Sequence, residues 1–185
     1  MKIGFVIYDA MTGLDFVGVF DPISRLKTMG FLSDLEWDIC GLREEITDGA
    51  GLRFRATRVK QSLGGYDAVV VPGGPAAVQL RFDNDFVDWI KTAESCSWKI
   101  SVCSGALLLG AAGFLRGKKA TTHPTRKAEL ADYCLKVMDQ RVVEDGDVIT
   151  AAGVTAAIDL GLHLCGKWAG LDAREKIRRQ MDYAV

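Results

Sequence analysis

The sequence has no apolar run near the roughly 20 residues needed to cross a bilayer, so a membrane-spanning role is not expected. It also has no excess of either charge, with 23 basic and 24 acidic residues and a net charge of -1. That balance offers no electrostatic case for nucleic acid or for an anionic membrane surface. Histidine is scarce, with only His123 and His163, and none of the 5 cysteines forms a Cys-x-x-Cys pair. Neither a zinc site, another metal site nor a disulfide framework is therefore expected, and a reducing cytoplasm suits the cysteine usage. The N-terminal stretch Met1 to Tyr8 is too short an apolar run for a signal peptide and has no cleavage site, so none is expected. No repeat, low-complexity tract or linker divides the 185 residues, which leads us to expect one domain over 1–185.

Short β-rich apolar runs alternate with helical patterns, which predicts an α/β fold with a mostly parallel sheet. Strands are expected at Lys2 to Tyr8, Leu35 to Gly41, Ala68 to Val71, Trp98 to Val102 and Lys118 to Thr121. A small β excursion is expected over Ile46 to Arg55, turning at Asp48-Gly49, and a second pair at Arg141 to Glu144 and Val148 to Thr150. Helices are expected over Asp15 to Met29, with Gly18 and Pro22 making the start irregular, and over Asp83 to Ser95, with Asp83 as N-cap. Further helices follow at Ser104 to Ala112, Thr125 to Tyr133, Gly153 to Trp168 and Asp172 to Tyr183.

The segment Ser101-Val102-Cys103-Ser104-Gly105 puts a cysteine where a buried strand stops and a small-residue helix starts. Free cysteine usually acts as a small buried hydrophobe, and Cys40, Cys96, Cys134 and Cys165 are read that way. Cys103 differs because small neighbours permit the sharp turn of a nucleophile elbow. At a helix N-terminus the unpaired N–H groups should also lower its pKa. In a parallel sheet the loops at the carboxyl edge form the ligand site. Besides the elbow, that edge should carry the loop after Tyr8, with Asp9, Asp15 and Asp21 as candidate acids, and Pro72-Gly73-Gly74-Pro75. The Gly73 and Gly74 amides, with that of Ser104, are candidates to face a ligand or oxyanion, unless the Pro-Gly-Gly-Pro run is a plain chain reversal.

Pro72-Gly73-Gly74, the run 101–113, Gly117 to His123, Val142 to Gly146 and Thr150 to Asp159 together resemble the ThiJ/PfpI superfamily, part of the class I glutamine amidotransferase-like group. Leu14-Asp15-Phe16-Val17-Gly18 is similar to the N-terminal loop of its isonitrile hydratases. The resemblance spans nearly the whole chain and implies a flavodoxin-like three-layer sandwich, with helices on both faces of the sheet. It implies Cys103 as nucleophile, Asp15 as its acid partner and usually a homodimer, with a small-molecule substrate and no cofactor. Gly73, Gly74, Ser104 and His123 are the expected substrate-binding residues; His163, on an apolar helical face, is read as structural. Protease-like members carry histidine directly after the nucleophile, and Ser104 in that place disfavours proteolysis. Pro124 stands where the hydratase-like pattern often has tryptophan, and Val19-Phe20 replace its continuation toward a proline, so the pocket should differ in shape. The implied reaction is hydration of an isonitrile to an N-substituted formamide. A glyoxalase or deglycase acting on small reactive aldehydes, and a ligand- or redox-sensing domain without turnover, are the alternatives. The absence of a basic helix-turn-helix segment argues against a DNA-binding regulator.

Overall fold

The computed structural model describes residues 1–184. Its centre is a seven-stranded sheet built from β1 (Lys2–Ile7), β2 (Glu36–Gly41), β5 (Arg58–Val59), β6 (Ala68–Val71), β7 (Trp98–Val102), β10 (Val142–Asp145) and β11 (Val148–Ala151). The order is β10-β11-β7-β6-β1-β2-β5, parallel except for the β10–β11 hairpin at one edge. β1 pairs with both β2 and β6, so the chain reverses direction across the sheet there, and the loops leaving β1 and β6 open a crevice at their carboxyl ends. β6 is wholly apolar, and it and β7 are buried along almost their whole length, as strands covered on both faces must be.

Helices cover both faces. On one lie α1 (Gly13–Thr28), α6 (Ala156–Ala169) and α7 (Leu171–Gln180). On the other lie α2 (Ala77–Leu80), α3 (Asn84–Lys91), α4 (Gly105–Ala111) and α5 (Lys127–Leu130). Hairpin β3 (Glu45–Thr47) and β4 (Arg53–Arg55) stands apart from the sheet, as does the pair β8 (Lys119–Ala120) and β9 (Lys136–Val137). No helix among the described residues is long and apolar enough to cross a membrane.

Several expectations shift. Helix α1 runs without interruption through Pro22 instead of starting irregularly. It packs so closely on α6 that a Cβ on Gly18 would meet Ala157 at 2.7 Å, and one on Gly161 would meet Pro22 at 2.8 Å. The 118–121 strand does not join the main sheet; β8 pairs with the unforeseen β9. The predicted 125–133 helix divides into a 3-10 turn, Pro124–Arg126, and the single turn α5, because His123 caps the turn through its own ring. The predicted start of α6 at Gly153 moves to Ala156, since residues 153–155 bend past Cys103. Asp83 does cap α3, its Oδ1 accepting the Phe86 N–H at 3.1 Å.

Candidate active site

Cys103 leaves β7 with a φ of 55°, a left-handed conformation that costs a non-glycine residue about 1–3 kcal/mol. Surrounding contacts hold it there. Its N–H donates to Ala151 O and Ala152 O, both at 3.0 Å, and its carbonyl accepts from Thr122 Oγ1 at 2.7 Å. Gly105 begins α4 so close to β6 that a Cβ would lie 2.4 Å from Val71 O, so no larger residue fits this turn. The thiol is 7 % exposed, open on one side to a cavity of about 270 Å³.

Asp15 reaches the same point from the first turn of α1. It shares the helix's buried face with Gly18, Val19 and Pro22, at spacings of three, four and seven residues, so its carboxyl is turned inward and fully buried. One oxygen, Oδ2, accepts the Gly73 N–H at 2.9 Å, and Oδ1 has no hydrogen-bond partner among the described residues. The other candidate acids lie elsewhere: Asp9 pairs with Arg43 at 2.8 Å and accepts Thr47 N–H, while Asp21 pairs with Arg25 at 3.0 Å.

The glycine loop does something other than expected. Its two amides do not face a ligand, because Gly73 N–H serves Asp15 and Gly74 N–H donates to Ser104 Oγ at 2.9 Å. Ser104 Oγ in turn donates to Gly74 O at 3.0 Å, locking the elbow to the loop. A Cβ on Gly73 would sit 2.6 Å from Ser104 N, and one on Gly74, at a φ of 143°, 2.6 Å from Ala10 O. The amides that do reach the Cys103 sulfur come from Ser104 and Val154. Val154 lies within a run that the sequence had singled out, yet its role depends on the bend before α6 and has no local signature.

Electrostatics also depart from expectation. Burial lifts the Asp15 carboxyl to about 7, against the opposing pull of the Gly73 amide and the Cys103 thiol. The Cys103 thiol is not lowered by the helix start; burial, followed by the negative charge of Asp15, pushes it up to about 11. Ser104 and Val154 hydrogen bonds pull it back only in part. The two groups titrate as one coupled pair. Tyr8, whose hydroxyl donates to Pro72 O at 2.8 Å, is held well above its ordinary pKa by burial, Asp15 and Cys103. It therefore stays a neutral donor.

Gly74, Ser104 and His123 all line the Cys103 cavity, joined by three residues that the sequence does not single out, Thr12, Thr125 and Arg126. The His123 Nδ1 is engaged by Thr125, with Oγ1 at 2.8 Å and N at 3.3 Å, and its ring lies flush against Gly153. His163 is remote, partly exposed, and pairs with Glu144 at 2.9 Å. Among the described residues no three His, Cys, Asp or Glu side chains are grouped to hold a metal.

A doubly wound sheet with a strained cysteine at its carboxyl edge and a buried carboxyl beside it defines a flavodoxin-like protein with a cysteine elbow. The chain belongs to the DJ-1/PfpI family, whose model matches residues 1–167. It is 33% identical to an isonitrile hydratase of Pseudomonas putida, across 100% of this chain and 79% of that protein. It is 32% identical to a deglycase of Pyrococcus horikoshii, across 79% of this chain and 88% of the relative. The structure of a ThiJ/PfpI family protein from Pseudomonas syringae superposes with a TM-score of 0.88 at 29% identity, covering 100% of this chain and 75% of that one. These relatives thus include both an isonitrile hydratase and a deglycase.

Proposed function

We propose that the chain is an isonitrile hydratase-like cysteine enzyme, a hydro-lyase class activity that needs no cofactor and is carried by one 1–185 domain acting as a homodimer. The observation that carries this reading is the pairing of Cys103 with a buried Asp15 whose carboxyl is poised near neutrality, as a proton donor and acceptor must be. The full-length similarity to an isonitrile hydratase supports the choice of substrate.

In the reactive form of the pair the proton of Cys103 has passed to Asp15. The thiolate sulfur bonds to the terminal isonitrile carbon while Asp15 delivers its proton to that carbon, giving an S-linked thioimidate. Water then adds to the thioimidate carbon and gives a proton to Asp15. Nitrogen takes that proton from Asp15, the added hydroxyl then returns its own proton to Asp15 as the C=O forms and the C–S bond breaks, and the N-substituted formamide leaves with Cys103 again a thiolate beside a protonated Asp15; the sum is isonitrile plus water. Ser104 and Val154 amides steady the sulfur when it carries charge. The Gly73 amide fixes the carboxyl, and His123 forms part of the substrate wall. Leu14 and Val17, 44% and 46% exposed on the outer face of α1, are the surface proposed for dimerisation.

The test incubates the protein with cyclohexyl isocyanide and, separately, with methylglyoxal, following formamide and lactate. Formamide formation lost in Cys103→Ala and Asp15→Asn supports the reading. Isonitrile turnover that survives both substitutions overturns the mechanism. Lactate without formamide assigns the aldehyde chemistry suggested by the deglycase relative, and turnover of neither leaves a sensing role.

A further inference from the structure

We infer that the Cys103 site selects substrates bearing an anionic group, a carboxylate above all, and that Arg126 is the residue that reads it. For the reaction itself this rests on the isonitrile reading, and the substrate class becomes isonitriles of the carboxyalkyl type. The charge preference stands apart from that reading.

Among the described residues Arg126 and His123 are the only side chains lining the Cys103 cavity that can carry a charge besides the thiol, and neither can be negative. Asp15 carries the nearby acid, but it is fully buried, with one oxygen on the Gly73 amide, and it is not among the residues that line the cavity wall. A larger cavity of about 560 Å³ beside Tyr8 makes the contrast, since its rim mixes Asp9, Asp83 and Asp85 with Arg43 and Lys60 and so favours neither sign.

The guanidinium is also held for the task. Arg126 closes the 3-10 turn, with its N–H donating to His123 O at 2.8 Å, and His123 caps that turn by accepting the Thr125 N–H. Its Nη1 donates to Glu129 Oε1 at 3.0 Å, which steers the side chain but uses one donor of five. Among the described residues the side chain makes no other hydrogen bond, leaving Nε and Nη2 for a carboxylate. Glu129 does not line the cavity, and its partial neutralisation of Arg126 limits the selectivity without reversing it. A cavity of about 270 Å³ suits a small ligand whose reactive carbon and carboxylate are a few bonds apart.

Two experiments separate charge preference from reaction. In the first, isocyanoacetate is compared with isobutyl isocyanide, its neutral isostere. The wild type prefers the anion, and Arg126→Gln lowers kcat/KM for it about tenfold, mainly through KM, the worth of one charge-assisted hydrogen bond. The neutral isostere is turned over unchanged, Arg126→Lys restores part of the preference, and Glu129→Gln increases it. In the second, Cys103 is alkylated by iodoacetate and by iodoacetamide, the thiolate displacing iodide in both, with peptide mass spectrometry to follow Cys103 alone. Arg126→Gln lowers the iodoacetate to iodoacetamide rate ratio about tenfold while the iodoacetamide rate holds. A ratio that Arg126→Gln leaves unchanged overturns the inference. A ratio that falls in a protein that hydrates no isonitrile keeps the anion selection and rejects the reaction.

Discussion

The carboxylate of Asp48, in the β3–β4 turn, occupies the space where Gly13 lacks a side chain: its Oδ2 lies 2.5 Å from the point a Gly13 Cβ would fill. Helix α1 makes no cap with its own Thr12 side chain, so the Gly13 N–H turns to Asp48 instead. The other Asp48 oxygen holds its own turn, accepting Ala50 N–H and Leu52 N–H at 2.8 Å each. The helix that carries Asp15 is thus seated by a distant hairpin. Asp48→Ala is expected to lower Tm by roughly 2–4 °C, the effect of losing a helix cap in a domain of this size. It should also reduce kcat by letting Asp15 drift, with Cys103 still present and alkylatable. Thermal unfolding and steady-state kinetics check both.

A buried carboxyl kept near neutrality is costly when it ionises. The Asp15 pKa is about 7 in the fold against 3.8 when exposed, so between these values the folded state holds more protons than the unfolded. The Asp15 contribution to stability therefore falls as pH rises from about 4 to about 7 and is level above that. Asp15→Asn keeps an oxygen for the Gly73 amide and removes the charge. It should be more stable than the wild type at pH 8 by a few kcal/mol, about 4 at most, and equal to it near pH 4. Denaturant melts at the two pH values measure the difference.

What could be read from the sequence divides along physical lines. β6 and β7 were legible to the residue because a short β-rich run, wholly apolar in β6 and carrying Trp98, Ile100 and Val102 in β7, ends sharply at Pro72 or at the Cys103 elbow, which is a local signal. β5, β9 and α2 were not, being two- to four-residue pieces set by what lies beside them. The topology of loops at one sheet edge left Asp9, Asp15 and Asp21 as possible partners of Cys103, and the family resemblance singled out Asp15. The destinations of the Gly73 and Gly74 amides did not, since they depend on which acceptor the fold brings within 3 Å. The thiol pKa failed for a related reason: the start of a helix is a local cue, whereas burial and a neighbouring carboxylate belong to the whole fold. Arg126 was hidden because a ring cap by His123 shortened the helix expected there.

Strain at the elbow is separable from the chemistry of the thiol. Cys103→Ala and Cys103→Gly both remove the sulfur, but only glycine accepts a φ of 55° without cost. The glycine variant should exceed the alanine variant in stability by about 1 kcal/mol, and both should be inactive. Equal unfolding free energies would show that the surrounding contacts impose no strain.

Dimerisation through α1 gives a further expectation. Leu14 and Val17 lie three residues apart on its exposed face, and Leu52, 61% exposed, stands on the hairpin that Asp48 ties to the same helix start. Val17→Lys should convert the dimer to a monomer at micromolar concentration, because a charge in an apolar contact loses its hydration without gaining a partner. Light scattering after size exclusion reads the mass directly. A wild type that is already monomeric rejects the surface and the homodimer together.

The coupled pair makes its own pH signature. Below about 7 both groups keep their protons and the thiol is inert. Once one proton leaves, the single negative charge is shared between Asp15 and Cys103, mostly on the carboxyl, with a small thiolate fraction that does the chemistry. Alkylation of Cys103 by iodoacetamide should therefore rise through about 7, level off, and rise again through about 11, when the second proton is lost. Isonitrile hydration needs the remaining proton on Asp15, so it should share the first rise but fall where alkylation climbs again. In Asp15→Asn the first rise disappears. The repelling charge is gone as well, so the one ionisation left to Cys103 comes below the wild-type value of about 11. Rate profiles for both reactions, with thiolate absorbance as the titration record, distinguish a shared proton from two independent groups. Independent groups would leave the thiol titration unmoved by Asp15→Asn.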